Sequence, residues 1–458
     1  MPRPRLSFIL VGGAPIVTHC GETILSRGHA VLHVIARSDF VEQWAHGHGL
    51  SVSSGSEADA AAPVPHADHI ISAANDLILS PALLARAQKG AYNLHNSLLP
   101  SYRGAFAASW AILDGQPLHG ATWHAMESAI DAGNAIARKS FPIQREDTAR
   151  SLNARCMEAG WALFRDAVLP RLEASLYANG PIAEGPYFPV AQRAPFVGLI
   201  DWRRTAEDCL RVVRALDRGP IDNSFDLAKL LAGGRCWAIA EAKALPEMRL
   251  AQGQLLPGND GEALLGTTSG AISLSGLIAC GMHTDIAAPL QPQQLHLPSG
   301  DWTARAEALG RMAAKAENAA IRRWRDAAGA EDLEPVILTG LTETRTESWE
   351  QIASLLSVAM RQSPHRGTAR IAVQTPSMLN VPPELAPLFS SCQPFILDPA
   401  EPATRLAQRL QQVDDAGPVL IDVWLRRTAL RDMTVPRSAL RIFRSTDSGG
   451  YAIFTSLY

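Results

Sequence analysis

The sequence predicts an α/β protein with an open, mostly parallel Rossmann-like sheet, a β-rich second domain and a third α/β module. Three observations carry this reading. Continuous apolar runs at residues 6–11 and 30–36 alternate with helix-periodic segments, the rhythm of a parallel sheet covered on both faces. From Pro189 onward the pattern changes to short β-like runs separated by Gly, Asn and Asp. Beyond a proline-rich polar stretch at 286–300, helical and extended patterns mix again. A chain of 458 residues exceeds one ordinary core, which fits two or three domains.

The elements follow in order. The 6–11 run ends in Gly12-Gly13. No G-x-G-x-x-G pattern accompanies it, so the pair reads as a tight strand-to-helix turn rather than a dinucleotide site. A helix is expected over 17–27, stopped by Gly28, then a strand over 30–36 and a helix over 40–46. Residues 51–67, rich in Ser, Ala and Pro, read as a surface connection. Next come a strand at 69–72, a helix at 81–88, a strand at 90–95 and a short helix at 107–113. Residues 120–126 alternate, which puts Thr122, His124 and Met126 on one face. Asp131-Ala132-Gly133 is a turn, and Asp147-Thr148 caps a helix reaching about residue 168. Gly and Pro near 180–187 mark a boundary. The β-rich part carries an amphipathic helix framed by 200–202 and 214–217, then β-like runs at 237–242, 253–256, 262–267 and 271–277. The remainder is expected to hold helices at 304–328, 348–361 and 403–413 and strands at 335–338, 369–373 and 419–425. The division implied is 1–185, 186–285, a linker and helix start at 286–316, and 317–458.

Composition narrows the functional classes. The hydrophobic fraction is 47% and the formal net charge is −3, a balance typical of a soluble globular chain without the basic excess of a nucleic-acid binder. Six cysteines stand scattered without CxxC spacing, so reduced thiols in a cytoplasmic protein are expected, with no metal site. The apolar run near the N-terminus is shorter than a signal or membrane segment requires, and no membrane span is expected.

The chemistry concentrates in Asn93-Leu94-His95-Asn96-Ser97-Leu98-Leu99-Pro100-Ser101-Tyr102-Arg103-Gly104 and in Ile130-Asp131-Ala132-Gly133. On an extended strand Asn93 and His95 share a face. Amide and imidazole side by side make two donors for an oxygen that gains negative charge. A carboxylate brought to that imidazole, here Asp131, would orient it and raise its basicity. Such a set suits acyl transfer to an amine. Arginines 426, 427, 431, 437, 441 and 444 read as a solvated face.

Residues 90–133 resemble the folate-dependent formyltransferases, which include methionyl-tRNA, glycinamide-ribonucleotide and sugar-amine formyltransferases. The family pattern N-x-H-x-S-L-L-P-x-Y-R-G stands at 93–104. Trp110-Ala111-Ile112, Gly120, Thr122 through Met126 and Ile130-Asp131-Ala132-Gly133 follow at the family's spacing. Ala132 replaces the usual Thr. The resemblance implies that the first domain takes N10-formyltetrahydrofolate as co-substrate, with Asn93, His95 and Asp131 catalytic. It implies Ser72, Asn75, Leu77, Leu79, Met126, Ile130 and Gly133 at the folate, with main chain of 73–79 meeting the pterin. Tyr102, Arg103 and His124 are expected at the acceptor side, the first two chiefly shaping the loop. Residues 190–282 resemble the β-rich C-terminal domain of the tRNA enzyme through Ile200-Asp201-Trp202, Arg214 to Asp217 and the run at 261–274. Residues 317–458 share cues with a condensation-like half domain of nonribosomal peptide synthetases: Trp324, Leu333 to Val336, Leu388 to Ser390, Pro394-Phe395 and Asp422 to Arg427. The His-His-x-x-x-Asp-Gly motif is absent, so a docking or structural remnant without condensation chemistry is expected there. The expected acceptor is a primary amine of a specialised metabolite or of a carrier-protein-bound amino acid, with an assembly-line protein as partner. A sugar amine, methionyl-tRNA or a purely docking function are the alternatives.

Overall fold

A computed structural model describes residues 5–54, 64–127, 129–177, 184–219, 223–280, 290–296, 302–327, 331–332, 344–362, 369–379, 381, 385–390, 393–398, 400–420, 423–426, 438–444 and 451–457. Its contacts divide the chain into Met1–Val190 and Ala191–Tyr458.

The first unit is built on β1 (Ser7–Gly12), β2 (Ala30–Ala36), β3 (Val52–Ser54), β4 (Ala67–Ala73), β5 (Ala87–His95), the short β6 (Arg103–Gly104), β7 (Leu118–Ala125), β8 (Ala135–Pro142) and β9 (Tyr187–Phe188). Seven of them form one sheet in the order β3-β2-β1-β4-β5-β7-β8. Pairing is parallel from β3 to β5 and antiparallel across β5-β7-β8. The helices are α1 (Pro15–Ser26), α2 (Asp39–Gly47), α3 (Pro81–Leu84), α4 (Ala107–Leu113), α5 (Ala149–Leu163) and α6 (Leu169–Glu173). Strand alternation explains why the central runs are apolar throughout. Phe8 and Leu10 enter one core with Ile24, Val34, Trp123 and Phe164, while Ile9 and Val11 enter the opposite one with Ile35, Ile70 and Leu83.

Four expectations need correction here. Residues 52–54 of the supposed connection pair with β2 as an edge strand. The helix expected over 81–88 stops at Leu84, because Ala87 already pairs with Ala67 on β4. Strand β8 was not foreseen; its exposed, charged stretch Arg138-Lys139-Ser140 hides the alternation. The helix capped by Thr148 continues past 168 to Glu173 through a wider π turn over Phe164–Val168. Pro170 lacks the N–H an α turn would need there.

The second unit contains a helix (Ala206–Leu216), a five-stranded antiparallel sheet and a three-stranded one. Gln293–Gln294, inside the supposed linker, pairs with residues 254–255 of the larger sheet. The helix Trp302–Ala327 runs through residue 316, as the helix expected over 304–328 does. Ala369–Gln374 pairs parallel with Ser438–Arg444 in a further sheet, covered by Trp349–Gln362 and Ala403–Ala416. The strand expected at 419–425 is instead a single bridge at Leu420 and a helical turn, Val423–Arg426. The strand expected at 335–338 lies outside the described residues. Arg426 is buried, not part of a solvated face.

Candidate active site

The site forms at the C-terminal ends of β4 and β5, beside the second half of the antiparallel β7. Register places Asn93 beside Ser72 on one side and His124 on the other, and His95 opposite Thr122. The following loop is held by its own polar groups. Ser97 Oγ donates to the Ser101 carbonyl at 2.5 Å, and Thr122 Oγ1 donates to the Ser97 carbonyl at 2.7 Å. Tyr102 takes a left-handed backbone (φ 57°), as does Asp131 (φ 51°). Strained conformations of this kind persist where the surroundings over-determine them.

The loop and the 130–131 turn are tied together. The Arg103 guanidinium donates to the Ile130 carbonyl at 2.8 and 3.2 Å, and the Gly104 N–H donates to Asp131 Oδ2 at 2.8 Å. Asp131 thereby meets both imidazoles. His95 Nδ1 lies 3.4 Å from Oδ2, and His124 Nε2 lies 3.4 Å from Oδ1. The Asn93 amide nitrogen is 3.3 Å from His124 Nε2. His95 Nε2 is 2.7 Å from the Tyr102 carbonyl oxygen, which can only accept, so that nitrogen carries hydrogen.

Electrostatics follow from this packing. Burial alone would raise the Asp131 carboxyl. The His124 contact, the charge on His95 and the Gly104 N–H outweigh it and bring the group down to about 2. Burial pulls His95 below its usual value, against Asp131 and the Tyr102 carbonyl, which favour its charged form. The buried carboxylate thus stays ionised beside a ring poised to take a proton.

The other expected residues sort by contact. Tyr102 donates its hydroxyl to Asp114 Oδ2 at 2.8 Å and, with Leu98, His119 and Phe188, lines a cavity of about 370 Å³ beside the loop. Ser72 is fully buried. Asn75 closes its own turn: its amide donates to the Leu77 carbonyl at 2.9 Å, and its oxygen accepts from the Leu77 N–H at 3.1 Å. The Leu77 N–H is therefore committed within this turn. Leu77, Leu79 and Met126 share one apolar cluster, a wall suited to a flat heteroaromatic ring. Ile78 and Ile130 stand exposed. Gly133 is needed for packing, since a Cβ there would sit 2.1 Å from the Ala125 carbonyl oxygen. Sequence reading missed the centrality of His124, whose signal was its place on the Thr122 face. Among the described residues no His, Cys, Asp or Glu group has the spacing to hold a metal ion, and no helix is long and apolar enough to cross a membrane.

Among solved structures, HypX from Aquifex aeolicus in complex with tetrahydrofolic acid is 18% identical, with a TM-score of 0.45 over 60% of this chain and 44% of its own. This chain thus spans less than half of the HypX chain. An N-formyltransferase from Helicobacter canadensis, in complex with folinic acid and dTDP-3-aminofucose, is 20% identical, with a TM-score of 0.46 over 59% of this chain and 99% of its own. A 4-N formyltransferase from Francisella tularensis is 17% identical, with a TM-score of 0.41 over 50% and 93%. The formyl transferase family matches residues 33–168, the span that holds Asn93, His95, His124 and Asp131. Residues 33–168, within the N-terminal unit, are thus similar to the formyl transferase family.

Proposed function

We propose that the chain transfers a formyl group from N10-formyltetrahydrofolate to a primary amine of a specialised metabolite or of a carrier-bound amino acid. The observation that supports it best is the meeting of Asn93, His95 and Asp131, drawn from two separate stretches of sequence, with His95 Nδ1 3.4 Å from the carboxylate. The residues that fit the co-substrate are Leu77, Leu79 and Met126 as apolar wall, main chain of 73–79, and Gly133 at close approach.

In this reading the acceptor amine attacks the formyl carbon and the carbonyl oxygen becomes an oxyanion. Asn93, whose amide has a second N–H, donates to it. His95 has its Nε2–H on the Tyr102 carbonyl, so its open nitrogen, backed by Asp131, takes the amine proton and returns it to the leaving folate nitrogen. Residues 317–458, expected to dock an assembly-line partner, favour a carrier-bound or specialised acceptor over tRNA.

The test is formyl transfer by the purified chain to aminoacyl carrier proteins, free amino compounds, amino-sugar nucleotides and methionyl-tRNA, read by mass gain and folate absorbance. Formylation of a carrier-bound or free amino compound is expected. Turnover of only sugar or tRNA would replace that acceptor class. No turnover with no folate binding would leave a docking protein. His95→Ala should keep the fold and lose activity by at least about 100-fold; an unchanged rate rejects the mechanism.

A further inference from the structure

His124 has no part in the steps above, yet it touches two of their three residues. Its Nδ1 lies 2.8 Å from the Ala125 carbonyl oxygen, so Nδ1 carries the hydrogen of the neutral ring. The lone pair then sits on Nε2, facing the Asn93 amide at 3.3 Å and Asp131 Oδ1 at 3.4 Å. His95 repeats the arrangement with its nitrogens exchanged: Nε2–H on the Tyr102 carbonyl, lone pair on Nδ1 toward Oδ2. One carboxylate is flanked by two lone-pair nitrogens, each fixed in its tautomer by a main-chain carbonyl.

While both rings are neutral, each 3.4 Å contact sets acceptor against acceptor. One proton on either nitrogen turns its contact into a charge-assisted bond. At His124 the consequence extends further. A protonated Nε2 can no longer accept from Asn93, so this N–H is released to join the amide's other, already open one.

We propose that His124 is a second proton-holding and positioning residue, which shares one proton with His95 across Asp131 and whose protonation releases the committed Asn93 N–H, so that both N–H groups of the amide can serve the oxyanion. The inference rests on the formyl-transfer reading. The balance closes: a bond forms between the acceptor nitrogen and the formyl carbon, and one amine proton passes to the His124–Asp131–His95 array. The bond from that carbon to the donor nitrogen then breaks, and that nitrogen receives the proton. The charged and titratable groups facing the array are Asp131 from its turn, His95 from β5, Arg103 from the loop and His119 from β7. Burial is the main cause that disfavours a proton on His95, and Asp131 and the Tyr102 carbonyl oppose it.

Two measurements test this. His124→Gln keeps an amide that can bond Asn93 and Asp131 but cannot hold a proton. It should lower kcat by about 100-fold with KM little changed, and should remove one ionisation from the pH profile. Wild-type kcat, or a fall in kcat with an unchanged pH profile, overturns the proposal. Imidazole ¹⁵N spectra of the ligand-free chain should show His124 as the Nδ1–H and His95 as the Nε2–H tautomer. Their titrations should be coupled in wild type, with the His95 midpoint moving in His124→Gln. Other tautomers or independent titrations overturn the proposal too. The spectra need no acceptor, so a chain that formylates nothing would refute the formyl-transfer reading while the array is still read directly.

Discussion

Asp131 opens a turn, and that is all its neighbours in sequence say of it. Its function depends on groups distant in the chain: the Gly104 N–H at 2.8 Å and two imidazoles at 3.4 Å. The Asn-x-His pair was legible because a period of two is a local property of strands. The partnership of His124 was not, since it depends on the antiparallel register of β7 against β5. Asn93 gives the sharpest kinetic prediction. Removing an oxyanion donor costs about 100- to 1,000-fold in kcat, so Asn93→Ala should show that loss with little change in KM. A second prediction concerns His69, buried among the rings of Phe8, Tyr92 and Tyr177. Burial takes it down to about 4. The unfolded chain then binds a proton near 6.5 that the folded chain refuses, so stability falls as pH drops from about 6.5 toward 4. His69→Phe should flatten that dependence by up to about 3 kcal/mol, measured by denaturant midpoints at pH 7 and pH 4.5. An unaltered pH dependence would place the acid sensitivity elsewhere, His119 being the next buried ring, also brought to about 4.

The strands buried on both faces could be read directly, because a run such as Phe8-Ile9-Leu10-Val11 feeds two cores at once. The edge strands could not. β3 is short, and β8 exposes Arg138 to Ser140 along the sheet border, a usual way of blunting an edge that also erases the pattern. The loop between β5 and α4 depends on a further element that sequence gave no reason to expect, the two-residue pairing of β6 with β9. Gly104 makes that pairing possible. Its φ is +92°, and a Cβ would sit 2.3 Å from the Phe188 carbonyl oxygen. Gly104→Ala should therefore destabilise the first unit by more than about 1 kcal/mol. It should also lower kcat, because the Gly104 N–H that holds Asp131 moves with the strand. Thermal unfolding and turnover measured on the same preparation check both; a stable, fully active variant would show that Asp131 keeps its place without this bond.

The largest departure from the sequence reading lies in the second unit. Arg426 stands in an arginine-rich stretch that looks solvated, yet it is fully buried and pairs with Glu317, 109 residues earlier, at 2.8 and 3.2 Å. Arg193 donates to the same carboxylate at 2.7 Å and also reaches the Ser224 carbonyl at 2.7 Å. The Asn223 N–H and carbonyl both bond Arg426, each at 2.9 Å. One glutamate thus joins the segment before the β-rich sheets, the turn at 223–226, the helix Trp302–Ala327 and the turn Val423–Arg426. No periodicity announces such a set, because each charge looks exposed until its partners arrive from elsewhere in the chain. The helix carrying Glu317, expected over 304–328, crosses position 316 and spans Trp302–Ala327. Two guanidiniums around one buried carboxylate are tolerated only while that carboxylate is charged. Glu317→Gln preserves shape and removes the charge, leaving two buried cations facing a neutral amide. The expected cost is about 3–5 kcal/mol, and it should fall on all four segments together. Hydrogen exchange should then show lost protection around 193, 223–229, 313–321 and 423–426 in concert, with β1, β4 and β5 unchanged. Loss confined to the helix around Glu317 would mean that the cluster fills space without joining these segments.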